Sequence, residues 1–118
     1  MRNRLATIKR LVEFRESIDS LEKSVRELSW DYEGACFNLT RSNIFEVLFR
    51  YLRKELNAEE IERWANLIEC REDIDFEKGH EEKLSETIFN LANPALQGNL
   101  AEDYCRELLA SLGAENTA

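Results

Sequence analysis

An all-α fold is predicted for this chain by three observations. Apolar residues recur at helical spacing along most of its length, capping signals mark several helix starts, and only four glycines and one proline interrupt the pattern. The expected architecture is a five-helix bundle with a long N-terminal helix over 1–28, a helical core over 39–112, and short irregular or extended connectors. With 118 residues, 43% apolar and 34% charged, the chain is sized for one domain, 1–118, with one core.

The first segment places Leu11, Phe14, Ile18, Leu21, Val25 and Leu28 at alternating spacings of three and four, which makes a heptad seam on one long helix. That seam packs either within the chain or on a second copy, so a homodimer through residues 11–28 is one expectation. Residues 29–38, "SWDYEGACFN", break the pattern and read as a connector with a short extended piece. Thr40 is a good N-cap for the next helix, and Leu39 can staple onto Ile44. This helix is expected to reach about Leu56. Its apolar residues, from Ile44 to Leu56, cover an arc of roughly 200° and suggest a central position.

Asn57 can end that helix and cap its successor, because "NAEE" has the capping-box pattern with Glu60 in third place. Ile61, Trp64, Ala65 and Ile68 share one face, so Trp64 is expected in the core. After Cys70 the period drops to two: Asp73, Asp75 and Glu77 alternate with Ile74 and Phe76. This is the pattern of an extended segment with its apolar side chains turned in and its carboxylates out. Helical spacing resumes through Leu84, Ile88, Leu91 and Ala92 until Pro94. Asn99 is the expected cap of the last helix, with Cys105, Leu108, Leu109 and Leu112 facing inward and Gly113 at its end.

Charge narrows the choice of partner. Of 16 basic and 24 acidic residues, seven and five lie within 1–28, leaving nine against 19 in the remainder. An acidic body repels phosphate backbones and attracts basic protein surfaces, so a basic protein is the expected partner and nucleic acid is not. No apolar run nears the roughly 18 residues of a membrane span, and the charged start "MRNRLATIKR" leads into no uninterrupted apolar region. A cytoplasmic location without a membrane partner is expected. Cys36, Cys70 and Cys105 are odd in number and far apart, so they read as reduced, buried thiols.

Catalytic and metal motifs are not met. "HEEKL" begins like a zinc-protease helix at His80, but Leu84 stands where the second histidine is needed. Asp73, Asp75 and Glu77 begin like a calcium loop, yet Lys78 replaces its required glycine and Leu84 its bidentate glutamate. No glycine-rich phosphate loop occurs. The expectation is therefore no catalytic residue, no metal and no cofactor. What remains is a segment, 69–83, with seven acids against three bases. It is either a solvated turn or a docking surface in which Glu69, Glu72, Asp73, Asp75 and Glu77 pair with arginine and lysine of a partner.

The strings "ELNAEEIERWANLIE", "EDIDFE" and "NPALQG" carry a resemblance that spans residues 39 to 112. They resemble small, acidic, uncharacterised bacterial helical proteins, some of them similar to the immunity proteins of polymorphic or contact-dependent toxins. That resemblance implies a non-enzymatic single domain that neutralises a cationic toxin, for instance a nuclease, by binding it. It transfers no functional residue. The alternative expectation is a structural or regulatory protein that dimerises through its N-terminal helix.

Overall fold

The first 28 residues do not make one helix. A computed structural model describes residues 4–28, 34, 36–69, 71–93 and 102–114, and in it α1 (Arg4–Val12) and α2 (Ile18–Arg26) are separate. The break is a Schellman ending of α1. Phe14 takes a left-handed backbone, φ 52°, while its N–H donates to the Leu11 carbonyl and the Arg15 N–H donates to the Arg10 carbonyl. Ser17 then caps α2, its hydroxyl accepting from the Ser20 N–H at 3.2 Å. The expected long helix is therefore corrected to two helices of nine residues each.

The turn also bears on the heptad seam. Leu11, Phe14, Ile18, Leu21 and Val25 are all buried in the chain's own core, with Leu28 packed at its margin. A folded-back pair of helices can satisfy the seam internally, and α1 and α2 do pack on each other. Of the two expectations for the seam, packing within the chain is the one these side chains show.

β1 (Phe37–Leu39) is the extended piece of the connector; the rest of 29–38, apart from Gly34 and Cys36, lies outside the described residues. Thr40 caps α3 (Arg41–Leu52) in a full capping box with Asn43, and both members of the proposed staple, Leu39 and Ile44, are buried completely. α3 stops at Leu52 rather than near Leu56. Lys54 is left-handed, φ 65°, and its N–H donates to the Tyr51 carbonyl while that of Glu55 donates to the Arg50 carbonyl. The helix is also less central than its wide apolar arc suggested: Ile44, Val47 and Leu48 are buried, but Phe49 is exposed.

Asn57 caps α4 (Ala58–Ile68) through the capping box with Glu60, as the spacing predicts. β2 (Ile74–Phe76) follows and pairs in parallel with β1, in the register Phe37 to Ile74, Asn38 to Asp75 and Leu39 to Phe76. Parallel strands need a long crossover, which the α3–α4 pair supplies. α5 (Glu81–Ala92) ends just before Pro94. The last helix, α6 (Glu102–Ala114), turns Cys105, Leu108 and Leu112 into the core and runs through Gly113; its expected cap, Asn99, lies outside the described residues.

The described residues thus form six helices and a two-stranded sheet, so the fold is mostly helical while the five-helix bundle is corrected. Trp64 lies at the centre, fully buried. Its indole N–H donates to the Leu11 carbonyl at 2.8 Å and its ring stacks near Phe14, 6.3 Å between centroids. α4 is further joined to α2 by Arg63, which pairs with Asp19 and Glu22.

Candidate functional site

β2 displays the acidic segment, and its burial pattern explains how. Ile74 is buried and Phe76 packs against the core, so the strand is anchored from one side, while Asp75 between them is exposed. Across the register Asn38 donates its side-chain N–H to the Asp75 carboxylate at 2.9 Å. This holds Asp75 in place without neutralising it.

Glu69 and Glu72 sit on the approach to the strand. Glu69 is the C-cap of α4, and its carboxylate accepts a hydrogen bond from Asn93 at the end of α5, at 3.2 Å. Glu72 is exposed, and its backbone carbonyl accepts from the Cys36 thiol.

Asp73 does not face solvent. Only 1% of its side chain is exposed, and it accepts hydrogen bonds from Arg4 at 2.6 Å and from Arg71 at 2.8 and 3.0 Å. The strand begins at Ile74, so Asp73 belongs to the preceding turn and is not bound by the alternation that puts Asp75 outside. Burial alone would raise its pKa. The hydrogen bonds and charges of Arg71 and Arg4 outweigh that and hold it below the ordinary aspartate value. The expected docking role of Asp73 is corrected to an internal one: it fastens α1 to the start of β2.

Glu77 is also committed internally. Its carboxylate takes both the Nε and Nη2 of Arg41 at 3.0 Å, and the Arg41 backbone N–H at 3.0 Å. Hydrogen bonds from the Arg41 side chain, then from its backbone, bring the Glu77 pKa down to about 2. The backbone contact places a carboxylate at the N-terminus of α3, where the helix dipole favours it. Of the five, Glu72 and Asp75 therefore remain as exposed carboxylates, with Glu69 half-buried beside them.

The cationic partners were not read from the sequence. Arg71 lies two residues from Asp73 and could have been suspected from "RED". Arg4 and Arg41 have no local signal, being 69 and 36 positions from the carboxylates they bind.

Elsewhere, a cleft of about 610 Å³ is lined by Glu13, Phe14, Arg15, Arg50, Arg53 and Glu55. Glu46 lines it too; of the other charges, Arg15 pairs with Glu13, and Arg50 and Arg53 both with Glu55. Among the described residues no three histidine, cysteine, aspartate or glutamate side chains gather to hold a metal ion. No described helix is long and apolar enough to cross a membrane. Cys105 is buried and Cys36 half-buried, both free; Cys70 lies outside the described residues.

These features define a mostly helical chain carrying a short, anchored acidic strand. No protein-family model matches it, and neither a curated protein nor a solved structure matches it at significant similarity.

Proposed function

We propose that the chain is a non-enzymatic protein-binding domain, most concretely an immunity-type protein that neutralises a cationic toxin through its acidic surface. The observation that carries this reading is the anchored strand β2. Ile74 and Phe76 hold it from within while Asp75 stands outside, with Glu69 and Glu72 on its approach. Carboxylates on a fixed edge lose little conformational freedom when they accept hydrogen bonds from arginine or lysine, so they bind better than the same charges on a loose loop. The net charge of −8 steers such a partner toward the chain.

Co-expression with the product of the gene immediately upstream is the test. Protection of the cells is expected, with binding that weakens as salt is raised. Replacing Glu72 and Asp75 together by lysine should weaken binding at least tenfold while the helical circular dichroism stays unchanged. Absence of protection, or affinity indifferent to both salt and the double reversal, would overturn the reading.

A further inference from the structure

We infer that the outer face of α5, centred on Phe89 and continued by Tyr104 of α6, is a docking surface for a cationic amphipathic helix. The inference rests on the cationic-partner reading above and names a different face and an apolar anchor for it. Phe89 is 46% exposed although it is a large aromatic on a helix whose opposite side, Leu84, Ile88 and Leu91, is buried. Glu86 and Glu82 precede it by three and seven residues, so they share its face, and both are exposed.

α6 extends the same surface. Burial raises the Tyr104 pKa, the Asn90 side chain draws it down, and the carboxylates of Glu86 and Glu107 push it up, which places acids of both helices around one hydroxyl. α5 and α6 carry six acids against two bases. Glu102 pairs with Arg106, but no described cation pairs with Glu82, Glu86, Asp103 or Glu107.

An exposed aromatic beside unpaired carboxylates is the anatomy of an interface anchor with a charged rim. Its complement is a helix with one apolar stripe flanked by lysine or arginine. The surface is also held in shape, because the Asn93 side chain donates both to the Phe89 carbonyl and to Glu69 of α4. Phe49 on α3 is equally exposed, at 47%, but it lies against Phe45 on a helix with Arg50 in its last turn and no acid in its first, so it serves as the control position.

The probe is a synthetic peptide of lysine and leucine at amphipathic helical spacing, with a scrambled peptide of the same composition beside it. Titration calorimetry and amide chemical shifts of the full chain report affinity and location. Expected are tighter binding of the amphipathic peptide than of the scrambled one, shift changes concentrated in α5 and α6, and about a tenfold loss in Phe89→Ala but not in Phe49→Ala. Equal binding of both peptides with Phe89→Ala unaffected would overturn the docking face while leaving an acidic protein that attracts cations. Loss on reversing Glu72 and Asp75, with Phe89→Ala silent, would overturn it in favour of the strand. Binding of neither peptide at low salt would overturn the face and the cationic-partner reading together.

Discussion

The Arg50 guanidinium holds the strained turn at Phe14 from two sides. Its Nη1 donates to the Phe14 carbonyl at 2.8 Å, and its carbon lies 5.5 Å from the centroid of the Phe14 ring. A bulky residue with positive φ pays a backbone cost of roughly 1–2 kcal/mol. Here the ring's burial against Trp64 and the Arg50 contacts offset it.

Arg50→Met is therefore expected to destabilise the fold by about 2 kcal/mol, since a charge-assisted hydrogen bond and a cation–π contact are lost together. Urea unfolding followed by the fluorescence of buried Trp64 measures it. A midpoint equal to that of the parent chain would show that the turn is held by packing alone.

Lys54 offers the converse case. It has the same left-handed backbone but is exposed, and its side chain contributes nothing to the core. Lys54→Gly should stabilise the chain by about 0.5–1 kcal/mol, because glycine adopts this conformation without a Cβ clash. Thermal unfolding at fixed pH would report a raised Tm; a lowered one would contradict the account of how α3 ends.

Acid should unfasten the sheet. Asp73 and Glu77 both titrate lower in the folded chain than in the unfolded one. Their contribution is therefore present above the unfolded values, near 4, and fades as pH falls, for Glu77 down to about 2. Tm measured from pH 6 to pH 2 should drop across this range. Glu77→Gln should flatten part of the fall, having lost its contribution at every pH. A slope unchanged by that substitution would mean the Arg41 pair is not coupled to folding.

Asp73→Asn is expected to cost about 3 kcal/mol at neutral pH. The change removes the carboxylate charge that Arg71, whose side chain is 7% exposed, and Arg4 both face at this position. Guanidinium unfolding distinguishes this from Asp75→Asn, an exposed position where a change within about 0.5 kcal/mol is expected.

Thiol chemistry should separate the cysteines. Burial is the main reason that the Cys105 pKa is pushed up to about 11, and its Sγ lies 3.6 Å from the Leu48 carbonyl. In the native chain at neutral pH, Cys105 should resist alkylation that mass spectrometry detects readily after unfolding. Equal labelling before and after would place the α3–α6 contact in doubt.

What could be read from the chain alone was local. Thr40 with Asn43, and Asn57 with Glu60, make caps whose partners lie three residues apart, so residue type and spacing determine the hydrogen bonds. The period-two pattern of Ile74 and Phe76 likewise predicted which side chains turn inward, because strand alternation is a property of the backbone itself. The long first helix failed for a related reason. Its termination uses Phe14 in a position that normally calls for glycine, so no residue type announced it.

Tertiary structure decided the rest. Whether the heptad seam met its own chain or another depended on α2 folding back and on Trp64 and Arg50 reaching carbonyls 53 and 36 positions away. The acidic row was divided by the same kind of distant contact: Arg4 and Arg41 took Asp73 and Glu77 into the structure, while Asp75 stayed outside. Charge and periodicity are written in neighbouring residues, whereas a carboxylate's availability is set by which cation the fold brings beside it.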